Sequence, residues 1–161
     1  MDYQLLEAQV RALLSEERDE LANMANFASF VYHEVPDLNW AGFYFAGRAG
    51  ELVLGPFNGR PACTRLPAGR GVCGAAFMSK QTIVVDDVNA YTDHIVCDSA
   101  SASEIALPLT DQSGEVYGVF DIDSPRTARF TPADAVGIGW LVRVLTERVP
   151  SRPSFLEHLV R

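Results

Sequence analysis

The feature that most constrains this chain is a change of hydrophobic period at Pro36. Upstream of it, Leu6, Val10, Leu13 and Leu14 fall on one helical face, and Leu21, Met24, Ala28, Val31 and Val35 fall on another in the following segment. Two N-terminal helices are therefore predicted. The second must stop before Pro36, because a proline pushes the residue ahead of it out of the helical region. From Trp40 the pattern shortens: Ala41 to Phe45 and Leu52 to Phe57 are brief apolar or aromatic runs joined by Gly47-Arg48-Ala49-Gly50, which reads as a β-hairpin.

The rest of the chain keeps the short period until its last third. Asn58 to Gly74 holds Cys63 and Cys73 with four glycines and two prolines, too many breakers for a long regular element. Thr82 to Val85 reads as a strand, and Asp86 to Ser103 as a second long irregular stretch, holding Cys97. Ile105 to Leu109 and Val116 to Ile122 form another hairpin around Asp111-Gln112-Ser113-Gly114. Thr131, with Asp134 three residues on and Pro132 in the first turn, starts a last helix whose apolar face is Val136, Trp140, Leu141, Val144 and Leu145.

Helices at both ends of a strand-rich middle predict an α+β fold. Its central, mainly antiparallel sheet has about five or six strands, with the terminal helices packed on one face and the long loops on the other. Loops of that length in a compact domain usually bind something. At 161 residues and 48% hydrophobic content, residues 1–161 suffice for one domain, which buries roughly two-thirds of its unfolded surface. The core is expected over residues 20–147, and residues 150–161 form a C-terminal extension.

Charge and thiol content narrow the function classes. The net charge of −8 comes without a stripe of Lys and Arg, which argues against a nucleic-acid partner. No run approaches the roughly 20 apolar residues of a membrane helix. The N-terminus lacks the basic and apolar regions of a signal peptide, and three cysteines are too few for a disulfide scaffold, so the expected setting is a reducing cytoplasm. An odd number of cysteines leaves at least one unpaired. Two loops closing over one sheet face would bring Cys63 or Cys73 near Cys97, and which pair meets depends on bringing their α-carbons within roughly 7 Å.

At these residues a resemblance emerges. Asn39-Trp40-Ala41-Gly42-Phe43-Tyr44, Gly55-Pro56-Phe57, Pro61-Ala62-Cys63, Gly69-Arg70-Gly71-Val72-Cys73-Gly74, His94-Ile95-Val96-Cys97-Asp98-Ser99, Ser103-Glu104-Ile105 and Asp121-Ile122-Asp123-Ser124-Pro125 resemble the free methionine-(R)-sulfoxide reductases, a GAF-domain family. The departures at Val96, Ala102, Ala106 and Phe120 change packing and no functional group. The resemblance implies that Cys97 is the catalytic cysteine, Cys63 the resolving one and Cys73 a second thiol able to join the relay. It also implies a free amino acid as substrate and a homodimeric assembly.

The chemistry agrees with the residues. Reducing a sulfoxide needs a thiol nucleophile and an acid for the departing oxygen. A second thiol then condenses with the resulting sulfenic acid, and an external dithiol such as thioredoxin reduces the disulfide, so no bound cofactor is needed. Glu104, Asp121 and Asp123 supply the acid, with Asp121 and Asp123 on one strand face; crowded carboxylates cannot all ionise. Asp98 and Ser99 of the Cys97 loop are candidates for the substrate's charged termini, and Trp40 and Tyr44 for an apolar wall against its methyl thioether. Carboxylates would hold the Cys97 thiol up, so a helix N-terminus after Cys97, or proton transfer within the substrate complex, is expected to offset them.

The same residues admit other readings. Cys73, between Val72 and Gly74, also reads as a buried small hydrophobe. His94 with the three cysteines could form a zinc site, but no cysteine pair has the short spacing such sites use, so no metal is expected and His94 is read as a loop hydrogen-bonding residue. A ligand-binding or redox-sensing module without turnover is the alternative function.

Overall fold

The computed structural model describes residues 1–67 and 69–159. Helices α1 (Tyr3–Leu13) and α2 (Glu20–Glu34) come first, and each is capped by an aspartate: Asp2 accepts from the Leu5 N–H and Asp19 from the Ala22 N–H. Val35, ahead of Pro36, is extended and ends α2 where the sequence requires. Strands β1 (Trp40–Ala46) and β2 (Glu51–Gly59) form the first hairpin, followed by β3 (Arg65–Pro67), helix α3 (Gly71–Ser79) and β4 (Ile83–Val85). Strands β5 (Ser103–Thr110) and β6 (Val116–Ser124) form the second hairpin. Helix α4 (Pro132–Arg148) starts with the expected Thr131/Asp134 capping box and Pro132.

All six strands pair antiparallel in the order β3-β2-β1-β6-β5-β4, so the two hairpins meet at β1 and β6 in the centre. Alternation along those strands sorts two cores. Phe43, Phe45, Ile105, Leu107, Phe120 and Ile122 face α1, α2 and α4. Trp40, Tyr44, Ala106 and Val119 face the other way, against α3 and the loops. The terminal helices and the loops thus take opposite faces, as expected.

Three local expectations are corrected. Cys73 sits in the first turn of α3 and not in a loop. The glycines there do not break the helix, because α3 is apolar all round and wedged against the sheet; Gly74 lets the backbone of Gly69 approach to 2.9 Å of where a Cβ would stand. Leu13, Leu21 and Val136 are exposed; Leu141, Val144 and Leu145 of α4 are buried as expected, joined by Ile138 and Val142, with Trp140 half-buried at the edge of the stripe. Residues 97–102 form turns and no helix: the Asp98 carboxylate accepts from the Ala100 N–H, an Asx turn that competes with helix formation. In the C-terminal extension Pro153 and Leu156 are buried and Phe155 is half-buried, and its last two residues lie outside the described ones.

Candidate active site

Strand register assembles the site. Across β5 and β6, Glu104 pairs with Asp123 and Ala106 with Asp121; across β1 and β6, Trp40 pairs with Asp123 and Gly42 with Asp121. Residues two apart share a face, so three carboxyl groups and two aromatic rings project from one side of the sheet. Gly42 and Ala106 flank Asp121, and Phe57 and Trp40 pack over Gly42. Beside the three acids lies a cavity of about 540 Å³, its open mouth included. Its remaining walls are α3 and the two loops that the cysteines occupy.

Cys63 and Cys97 are joined by a disulfide, their α-carbons 5.3 Å apart. Cys97 lines the cavity and Cys63 packs beside it. Cys73 is free and buried on the opposite wall, its Sγ 3.8 Å from Glu104 Oε1. Burial first, then the charges of Asp121 and Glu104, push the Cys73 thiol well above its ordinary value, so it is not a ready nucleophile in this state.

The carboxyls are equally perturbed. Burial and the charges of Asp121 and Asp123 raise Glu104 well above the usual range, and burial next to Asp121 does the same for Asp123. Asp121 is raised to about 6, chiefly by burial, while hydrogen bonding to Cys73 and Glu104 holds it lower than its neighbours. Its Oδ1 is buried without a hydrogen-bond partner, which makes it the acceptor still open to a ligand. His94 Nε2 stands 3.9 Å from Glu104 Oε2, and burial lowers its pKa and favours the neutral ring.

Of the residues selected from sequence, Cys97, Cys73, Glu104, Asp121, Asp123, Trp40, Tyr44 and Asp98 all line the cavity. Ser99 does not: it is exposed, and Ser101, two residues on, lines the wall, where Asn39 Nδ2 donates to its hydroxyl at 3.0 Å and to Asp98 Oδ2 at 3.3 Å. Alternating turns decide which serine faces inward, and no sequence pattern marks that. Arg60 and Arg70 also line the cavity and were not anticipated. Three arginines, Arg60, Arg65 and Arg70, in a cysteine-bearing segment without a single acid, within a chain of net charge −8, were the signal available. The zinc set weighed from sequence is not assembled, since Cys63 and Cys97 bond each other. The described residues whose ligand atoms cluster, all within 4.8 Å, are Cys73, Glu104 and Asp121.

The arrangement can accept a small zwitterion. Aromatic rings offer an apolar wall, the acids and Arg60 and Arg70 offer both signs of charge, and a disulfide-bonded sulfur pair stands at the side. Comparison with known proteins agrees. The GAF domain model matches residues 4–146. A protein named free methionine-R-sulfoxide reductase from Escherichia coli is 45% identical over 143 residues, covering 89% of this chain and 86% of that protein. Protein YtsP of Bacillus subtilis is 52% identical over 134 residues, 83% of this chain and 82% of its own length. Among solved structures, the free methionine-R-sulfoxide reductase of Neisseria meningitidis in complex with its substrate is 44% identical, covers 91% of this chain and 87% of its own, and superposes with a TM-score of 0.86.

Proposed function

The chain belongs to the GAF-domain family and, within it, to the free methionine-R-sulfoxide reductases, and from that premise we propose that it reduces free L-methionine-(R)-sulfoxide to L-methionine through Cys97, Cys63 and the carboxyl cluster. The observation that carries the mechanism is the Cys63–Cys97 bond at the wall of a cavity floored by Glu104, Asp121 and Asp123.

The sulfoxide seats with its methyl group against Trp40 and Tyr44 and its oxygen toward the acids. Glu104 and Asp123, whose carboxyls burial and neighbouring charge raise well above the usual range, are the proton donors to that oxygen, while Asp121 is ionised above about pH 6. The Cys97 thiol attacks the sulfoxide sulfur; methionine leaves and Cys97 is left as the sulfenic acid, two electrons having passed from the thiol to the substrate. Cys63 then condenses with the sulfenic acid, releasing water and forming the disulfide seen here. The substrate ammonium is held by Asp98 and the ionised acids, and its carboxylate by Arg60, Arg70 and the N–H groups of the first turn of α3. A peptide-bound methionine lacks both charged termini, so the pocket selects the free amino acid. With no helix after Cys97, proton transfer within the substrate complex is the route by which its thiol becomes the nucleophile.

Thioredoxin is the reductant in this reading, because the bond is intramolecular and a dithiol can open it. A cytoplasmic setting follows from that chemistry, and no described helix is long and apolar enough to cross a membrane. The exposed Leu5, Leu13 and Val136 of α1 and α4 support a homodimer.

Cysteine variants assayed for methionine released per enzyme, from pre-reduced protein without reductant, test the roles. Cys97→Ser should release none. Cys63→Ser should release about one equivalent and then stop even when thioredoxin is added; release by Cys97→Ser, or normal cycling by Cys63→Ser, would overturn the assignment.

A further inference from the structure

The aromatic wall of the cavity has a second set of contacts. Phe57, Trp40 and Tyr44 form a column on the sheet, with ring centroids 5.5 Å apart for Phe57 and Trp40 and 5.8 Å for Trp40 and Tyr44. The polar tips of the last two point at one short segment. Trp40 Nε1 donates to the Arg60 carbonyl at 3.1 Å, and the Tyr44 hydroxyl donates to the Cys63 carbonyl at 2.9 Å.

Residues 60–63 connect β2 to β3 without regular structure. Among the described residues, the hydrogen bonds from residues 60–63 to the rest of the chain are those two; beyond them, Thr64 accepts from the Leu54 N–H at 3.1 Å, Ala62 and Cys63 pack against the loop-face core, and the Cys63–Cys97 bond is the covalent tether. When that bond is open, those from the two aromatic tips are the hydrogen bonds left to fix the backbone of Cys63 and its approach to Cys97. Condensation needs Cys63 within reach of Cys97, and holding two reacting groups together sets the rate of such a step.

We infer that Trp40 and Tyr44 are positioning residues for the resolving step: they hold the Arg60–Cys63 segment by its carbonyls so that the Cys63 thiol meets the Cys97 sulfenic acid. The step is the one written above, in which Cys63–SH and Cys97–SOH give the disulfide and one water. The inference rests on that reading of Cys97 and Cys63. It adds a role that the two rings do not need as substrate walls, since an apolar wall requires no hydroxyl.

Tyr44→Phe keeps the ring and removes the donor. Reduced enzyme is mixed with one equivalent of free methionine-(R)-sulfoxide and quenched over time, with methionine quantified as the first step and loss of thiol to the intramolecular disulfide as the second. A 1,3-dione probe traps whatever sulfenic acid persists. One lost hydrogen bond should slow disulfide formation about 3- to 10-fold more than it slows methionine formation, with a matching rise in trapped sulfenic acid. Equal slowing of both steps, or condensation at the parental rate, would overturn the inference. Failure of the underlying reading looks different: the unsubstituted enzyme would release methionine without forming the Cys63–Cys97 bond, or release none. Should Tyr44→Phe not fold, Pro61→Gly loosens the same segment through its backbone freedom and should show the same selective slowing. Parental condensation in that variant would count equally against the inference.

Discussion

At the scale of single residues, the acid cluster decides what the site can do and leaves a mark on stability. Asp121 has a pKa of about 6 in the folded chain against 3.8 for an ordinary aspartate, so folding favours its protonated form. The stability this contributes is fully present below about pH 4 and is lost as pH rises through about 6. Asp121→Asn removes the titration. The variant should gain on the parent by roughly 2–3 kcal/mol between pH 4 and pH 7.5, read as a widening gap between their thermal midpoints. Parallel midpoints across that range would show that Asp121 titrates in the folded chain as it does unfolded. This cluster was legible in the sequence, because Asp121 and Asp123 share a strand face and Glu104 follows the Cys97 loop. The failure at Ser99 has an equally local cause: in an irregular loop there is no period, so nothing before folding says that Ser101 turns inward and Ser99 outward.

At the scale of elements, the site exists because β1, β5 and β6 are in register and because β1 carries a glycine between its two aromatics. A Cβ at Gly42 would stand 2.4 Å from Phe57 Cβ and 2.6 Å from Trp40 Cη2. Glycine there is what lets Phe57 and Trp40 stack flat over the strand. Gly42→Ala should therefore cost about 1–3 kcal/mol by overpacking. It should also displace Trp40, seen as a changed near-ultraviolet circular dichroism spectrum with a several-fold higher KM for the sulfoxide. A variant with parental spectrum and KM would mean that the column is not needed for the wall. Both hairpins and the three amphipathic helices could be read from periodicity and caps. Helix α3 could not, because it is short and apolar all round and so shows neither a polar face nor a period, and its glycines imitate a loop.

At the scale of the whole molecule, the division of labour is between the two sheet faces. The helical face carries the main core, and the loop face carries the smaller core and the candidate site. The C-terminal extension closes one end of the helical face: Phe155 meets Phe45 edge to face, Leu156 is buried, Ser154 donates its N–H to Glu20, and Arg152 donates to the Ala46 carbonyl. Its composition of prolines, charges and a few apolar residues announced none of this, since its partners lie on α2 and β1, more than a hundred residues away. The central claim concerns turnover at the other face. It is tested most directly by steady-state methionine production with thioredoxin, thioredoxin reductase and NADPH, comparing the free R sulfoxide, the free S sulfoxide and a peptide containing the R form. The account predicts turnover with the free R epimer and none above background with the other two. Turnover of the peptide or of the S epimer would contradict the assigned specificity, and a folded, fully reduced enzyme that turns over none of the three would make the Cys63–Cys97 pair a switch in a sensing domain.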